Sequence, residues 1–341
     1  MAEYHVKKFS SLSGVVVAAC SDRQAERARE FARRLHIPRW FGSAVELAGS
    51  SEVDCIAAAV VDAGHASAAL AALERGIPVF AEKPLARCLD EAVTLRAAAR
   101  TAAVPAMVNF SKRNAGALGL ARSLVAEGRI GTVRGGSFSY LQSWLLQDAW
   151  GRWDRTPRLR WRLSPAMSTD GVIGDLGSHI MDALLFVAGE ISAVSCAVTV
   201  FTDDPDNPGS SGAPDSLCAV FTMANGALFL GRASWRAPGS LDSFTFSIEG
   251  DSGTISADLS ASRGAVKLFD RFSGTWSELA ASPSPSTYEL FIDAVRSRAD
   301  APYTAGSARP DFQDGLAVQR IIDACARSAR EGRVIPFGEQ A

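Results

Sequence analysis

Apolar and polar positions follow two successive rhythms along this chain of 341 residues. Up to about residue 114, short apolar or β-branched runs alternate with longer stretches that repeat alanine and leucine at helical spacing. The runs at 15–19, 54–61, 78–81 and 106–109 read as strands. The stretches at 23–35, 66–73 and 89–99 read as helices. Alternation of that kind predicts a parallel, doubly wound sheet with right-handed crossovers. Beyond residue 114 the rhythm changes. A helix at 117–127 leads through Gly128 and Gly131 into an alternating strand at 133–140. Further strand patterns at 194–201, 217–223, 227–235, 243–249, 254–259 and 265–269 predict a mainly antiparallel sheet. A helix at 175–187 interrupts it, and helices at 288–297 and 312–330 close the chain. The stretch 203–215 is rich in Asp, Pro, Gly and Ser and reads as a long exposed loop.

The length exceeds one ordinary core, so two domains are expected: a Rossmann-like domain at 1–114 and an α+β domain at 115–341. With 47% hydrophobic and 21% charged residues the composition is that of a soluble globular protein. A net charge of −2 leaves no electrostatic footprint for nucleic acid or an anionic membrane surface. The six cysteines are scattered with no CxxC pair, which argues against a disulfide framework or a zinc site. No run is long enough to span a bilayer and no apolar signal core opens the chain, so a cytoplasmic location is expected.

Two motifs carry chemistry. Glu82-Lys83-Pro84 follows the apolar run at 78–81. The lysine therefore stands at the C-terminal end of a strand, where open α/β sheets bind ligands. Asp175 and His179 lie in the run Gly174-Asp175-Leu176-Gly177-Ser178-His179. Spaced four apart, they share one helix face. A cation, a carboxylate and an imidazole are a sufficient set to polarise a hydroxyl or carbonyl and move its proton. Asp175, His179 and Asp182 also offer two metal ligands on one face, but no further His or Cys cluster accompanies them, and no metal is expected.

Glu82-Lys83-Pro84 taken with the later Trp161-Arg162, Gly174-Asp175-Leu176-Gly177-Ser178-His179 and Asp182 resembles the Gfo/Idh/MocA oxidoreductases over nearly the whole chain. The resemblance implies oxidation or reduction at a secondary hydroxyl or ketone of a sugar, cyclitol or polyol, with NAD or NADP carrying the hydride. It implies that Lys83 contacts the reacting oxygen, that His179 is the acid–base residue and that Asp175 lies at the substrate. His65 keeps the position of the histidine in the family's T-P-N-x-x-H, with Val60, Val61 and Asp62 replacing Thr, Pro and Asn. That match places Asp62 and His65 at the cofactor, with Glu82 and with Asn109 at the end of its strand. Arg113, Trp161, Arg162 and Asp182 match positions near the substrate. Trp144, Trp150, Trp153 and Trp161 crowd one segment, as an aromatic rim for a sugar face or as core. The apolar alternation at 227–235 has no obvious helix to cover its outer side, so a homodimer or homotetramer through the C-terminal sheet is expected. Two other outcomes stay open on the same fold: an NAD-dependent glycosidase or dehydratase, and a sugar-binding regulator that has lost the cofactor.

A dinucleotide-binding fold normally begins with a strand and a G-x-G-x-x-G/A turn. Here Ala2 aligns with the last position of that turn, and 3–9 with the helix that follows it. Asp22 stands where the acidic residue for the adenosine ribose is expected, with Arg23 beside it; NAD is favoured over NADP. Without the strand, 15–19 and 54–61 flank a gap, and the chain as given is expected to bind NAD(H) weakly. An internal start codon is the favoured explanation, and loss of the cofactor the other. The codons just upstream are expected to encode an apolar strand and a G-x-G-x-x turn in frame with Ala2; a stop codon there overturns that expectation.

Overall fold

A computed structural model describes residues 1–204, 209, 211–297 and 309–337. The chain divides into two compact units, one of Met1–Asn109 with Ser286–Leu316, the other of Phe110–Pro285 with the C-terminal stretch from Ala317.

The first unit opens with helix α1 (Ala2–Ser10), then β1 (Ala19–Ser21), α2 (Ala25–Leu35), β2 (Arg39–Phe41) and α3 (Ala44–Ala48). It continues through β3 (Ile56–Ala58), α4 (His65–Leu73), β4 (Val79–Ala81), α5 (Leu89–Ala102) and β5 (Ala106–Val108). Every strand pair is parallel, in two separate sheets ordered β1-β2 and β3-β4-β5. The strands are shorter than their apolar runs suggest. Residues 15–18 of the first run fall outside β1, whose ladder pairs Ala19, Cys20 and Ser21 with β2, although the Ala18 carbonyl still accepts from the Arg39 amide at 3.2 Å. β2 and α3, too short to show a period, are additions to the sequence-based picture.

One apolar cluster packs around the β4 and β5 strands. Phe9 of α1, Phe80 of β4 and Met107 of β5 pack with Tyr288, Phe291 and Ile292, and Val15, Val17 and Cys55 lie against the same group. Tyr288, Phe291 and Ile292 belong to helix α9 (Thr287–Ser297). The aromatic rings meet mostly edge to face at centroid distances of 5.0–6.4 Å, the geometry that ring quadrupoles favour. Phe80 and Phe291 are wholly buried, and truncating a residue of that kind costs about 3–5 kcal/mol. This burial explains why Ser286–Leu316 cluster with the first unit, although the sequence pattern assigns everything after 114 to the second.

The second unit holds α6 (Gly116–Ala126), β6 (Val133–Leu141), the short α7 (Pro157–Arg160) and α8 (Ser178–Ala188). Strands β7 (Ile191–Thr199), β8 (Ser216–Met223), β9 (Leu228–Ser234), β10 (Ser243–Gly250), β11 (Gly253–Asp258), β12 (Ala265–Asp270) and β13 (Thr275–Ala280) follow. Helix α10 (Phe312–Glu331) and β14 (Ile335–Pro336) end the described chain. One nine-stranded sheet runs β13-β12-β11-β10-β6-β9-β8-β7-β14. All its pairs are antiparallel except the central β6–β9 pair. Side chains alternate along the central strands, where Phe138, Phe244, Phe246, Ile248, Phe221 and Phe229 are buried. The other face carries Ser137, Ser139, Thr245 and Ser247, with Val220, Leu228 and Leu230 exposed. The fold is therefore a parallel Rossmann-like sheet followed by a large, mostly antiparallel one. The expected loop at 203–215 falls partly outside the described residues; its end, Asp215, is fully buried and binds the Phe201 amide and Arg236. No helix among the described residues is long and apolar enough to cross a membrane.

Candidate active site

In the first unit the polar residues gather where the parallel strands end. Asp22 and Arg23 follow β1 and are exposed, the Asp22 carboxylate accepting from the Gln24 amide at 2.8 Å. Asp62 follows β3 and is buried. Glu82-Lys83-Pro84 follows β4 directly, with a cis Lys83–Pro84 bond, and Asn109 follows β5.

Glu82 is the hub of this end of the sheet. Its Oε1 accepts from His5 Nε2 and from Asn109 Nδ2, each at 2.7 Å. Its Oε2 accepts from the Lys83 amide at 3.3 Å. Burial alone pushes its carboxyl upward; the bond and charge of His5, the Asn109 amide and the Lys83 charge outweigh that and hold it below the ordinary value. Asn109 in turn accepts from Thr287 Oγ1 at 2.7 Å and reaches the Tyr288 hydroxyl at 3.4 Å. Burial, the first cause, and the nearby Glu82 charge push the Tyr288 phenol far above its usual value, so it stays a neutral hydroxyl. His65 spans two carbonyls, Pro84 O at 2.7 Å from Nδ1 and Val60 O at 3.1 Å from Nε2. It thereby ties the segment after β3 to the turn after β4. A Cβ on Gly315 would lie 2.8 Å from Leu85, so only glycine lets the start of α10 approach the segment that follows Pro84.

The first unit thus sorts the residues that the sequence placed at the cofactor. Asp22 and Arg23 face solvent; Glu82, Asn109 and His65 are buried and hydrogen-bond to other groups of the protein. Two of these contacts, Glu82 to the Lys83 amide and His65 to the Pro84 carbonyl, fall on the turn that carries Lys83. His5, Thr287 and Tyr288 were not legible as site residues. The one signal for His5 is that it shares a helix stripe with Phe9, four residues on, and both are buried.

In the second unit, residues 173–177 form a π-helical turn that runs into α8. Such turns are rare and gather at functional sites. Gly174 makes this one possible, since a Cβ there would stand 2.2 Å from the Thr169 carbonyl. The expected regular helix at 175–187 is therefore underwound over its first turn. Asp175 Oδ2 accepts from Trp235 Nε1 at 3.1 Å and Arg162 Nε at 3.3 Å. Arg162 lies over the Trp161 ring, 4.6 Å from its centroid. Trp235, fully buried, packs on Trp144, so at least that member of the tryptophan group is core. The carboxylate position is thus fixed by an indole 60 residues away, which no local pattern announces.

His179 is buried on the first turn of α8, its ring edge to face with Tyr140 at 5.7 Å and with Phe110 at 6.5 Å. Tyr140 donates its hydroxyl to Asp242, and Lys112 donates to both Asp242 oxygens at 3.2 Å while lying 4.3 Å above the Tyr140 ring. Burial and then the Asp242 and Asp175 charges push the Tyr140 phenol well above its ordinary value, so it works as a donor. Asp182 and Arg113, which the resemblance set near the substrate, bond to each other. Both are almost fully buried in a bidentate pair with Arg113 Nη2 to Asp182 Oδ1 at 2.6 Å. Removing one partner of such a pair strands a buried charge. Among the described residues no group of three His, Cys, Asp or Glu is placed to hold a metal ion.

Residues 1–110 match the profile of an oxidoreductase family with an NAD-binding Rossmann fold, and residues 119–256 match the GFO/IDH/MocA C-terminal domain. The chain is 27% identical to levoglucosan dehydrogenase of Pseudarthrobacter phenanthrenivorans, over 92% of this chain and 87% of that protein. It is 23% identical to D-apiose dehydrogenase of Paraburkholderia graminis, over 97% and 85%. Among solved structures, levoglucosan dehydrogenase in complex with NADH and levoglucosan superposes with a TM-score of 0.81 at 25% identity, covering 95% of this chain and 91% of that one. The residues of the first unit suit a nicotinamide dinucleotide: an exposed carboxylate after β1, a helix α1 whose start has no side-chain cap, and a lysine at the end of a central strand. With both of its units matched and the strand-end lysine, the π-turn aspartate and the following histidine all in place, the chain belongs to the Gfo/Idh/MocA oxidoreductases and is an NAD-linked member of that family.

Proposed function

We propose that this protein oxidises a secondary hydroxyl of a sugar, cyclitol or related polyol to the ketone, or catalyses the reverse reduction. What supports this reading is that one unit carries a strand-end lysine whose amide is held by Glu82, the other a histidine and a tryptophan-held aspartate, and that the chain's relatives are named for such molecules. NAD supplies the hydride acceptor when bound. Lys83 donates a hydrogen bond to the reacting oxygen and stabilises the alkoxide as the hydroxyl loses its proton. His179 accepts that proton. Asp175, fixed by Trp235 and Arg162, supports the imidazole or holds a neighbouring substrate hydroxyl. Trp161, stacked under Arg162, offers an apolar face to the ring carbons of a sugar. Incubation of the complete protein with NAD and a panel of sugars, anhydrosugars and cyclitols tests the reading. Accumulation of NADH with a ketone product supports it; release of an aglycone or of water with no net NADH formation favours the lyase-like alternative.

Lys83→Ala and His179→Ala are each expected to lower kcat/KM at least about 10²-fold, the scale for losing an oxyanion donor or an acid–base group. Steady-state kinetics on the purified variants check this, and full activity in either removes that residue from the mechanism.

Asp22 supports a preference for NAD, because its exposed carboxylate can accept from a ribose 2′-hydroxyl and repels a 2′-phosphate. The wild type is expected to show the lower KM for NAD, and Asp22→Ser to narrow the gap by about tenfold, near 1.4 kcal/mol. A lower KM for NADP in the wild type contradicts the assignment.

The open face of the nine-stranded sheet supports a homodimer or homotetramer. Leu228 and Leu230 are 55% and 60% exposed on it, beside Val220 and rows of Ser and Thr. Light scattering is expected to give a multiple of the chain mass, shifted toward monomer in Leu228→Lys/Leu230→Lys; a wild-type monomer at micromolar concentration refutes this.

A further inference from the structure

The Lys83 turn is governed from helix α1. An ionised carboxylate only accepts hydrogen bonds, so the 2.7 Å contact to Glu82 Oε1 requires the hydrogen on His5 Nε2. The same oxygen takes Asn109 Nδ2, and the other oxygen takes the Lys83 amide. One buried carboxylate therefore links three things: α1, the residue after β5 and the peptide that carries Lys83. The His5 ring cannot swing away, because it is wedged edge-on between Phe80 at 5.8 Å and Tyr288 at 5.5 Å, with Phe9 at 6.3 Å. Asn109 is held as firmly by Thr287. His5 and Asn109 thus grip the Glu82 carboxylate from two elements, and the Lys83 backbone hangs from its far oxygen.

We propose that His5 is a positioning residue for the reaction. Through Glu82 it fixes the backbone turn from which Lys83 reaches its substrate oxygen, so that α1 and the strand-end lysine behave as one rigid piece. The inference rests on the role given to Lys83 above. It adds that the start of the first helix, where a dinucleotide phosphate is favoured by the helix dipole, is mechanically joined to the catalytic cation.

Two substitutions separate positioning from packing. His5→Phe keeps a ring among Phe9, Phe80 and Tyr288 but cannot donate to Glu82. His5→Gln loses the ring and keeps an N–H at comparable reach. If His5 positions Lys83, His5→Phe lowers kcat for polyol oxidation by about tenfold or more, with the KM for NAD little changed, and His5→Gln recovers most of the loss. A second readout needs neither cofactor nor substrate: the acylation rate of Lys83 by a limiting amine-reactive ester, followed by peptide mass spectrometry. That rate is expected to change in His5→Phe and to stay near the wild-type value in His5→Gln. Unchanged Lys83 labelling in His5→Phe overturns the proposal. So does equal impairment of both variants with a matching fall in Tm, which would make His5 a packing residue alone. Should the wild type oxidise no polyol at all, the reading of the reaction fails while the labelling experiment still decides the role of His5.

Discussion

A carboxylate with no access to water is expensive to bury and is tolerated only when its oxygens are satisfied. Glu82 meets that condition with donors from α1, from the residue after β5 and from its own chain. The consequence is geometric. Each donor must stay where it is for the charge to stay buried, so the cost of burying Glu82 is converted into the fixed shape of the turn that presents Lys83. His65 on the Pro84 carbonyl and Gly315 against Leu85 close the same turn from two further directions. The aromatic cluster of Phe9, Phe80, Tyr288 and Phe291 then seals the hub from solvent and brings α9, late in sequence, into the first unit.

The second unit repeats the logic with different chemistry. Asp175 is held by an indole and a guanidinium, and the indole belongs to a tryptophan wholly enclosed in the sheet unit. The π-turn aims the carboxylate, and Gly174 is the residue that permits it. His179 is set by aromatic edges, with Tyr140 held as a neutral donor by burial and by Asp242. On the proposed reading each unit supplies a polar group whose backbone or ring is held by neighbours with no part in the chemistry, which is the condition for electrostatic stabilisation of a transition state.

Much of this architecture is legible in the sequence, and the exceptions have physical causes. The period-two strands β6 to β12 and the amphipathic helices declare themselves because one face of each is buried. β13 does not, since it is an edge strand whose residues are nearly all exposed and show no alternation. The Rossmann-like strands are overestimated in length because apolar character extends beyond the stretch where a ladder partner exists. Lys83, Asp175 and His179 stand out through their local motifs. Their supports do not, because His5 is 77 residues from Glu82, Thr287 178 from Asn109 and Trp235 60 from Asp175, and nothing local marks such pairs. Arg113 and Asp182 show the converse. Their motif positions are visible in the sequence, but the ion pair they make with each other is not.

A crystal structure of the complete protein with NAD and an oxidisable polyol tests the central claim most directly. The account predicts one substrate hydroxyl within hydrogen-bond reach of both Lys83 Nζ and the His179 imidazole, with Glu82 still gripped by His5 and Asn109. A hydroxyl bound away from Lys83, or a Glu82 carboxylate released from His5, would contradict it.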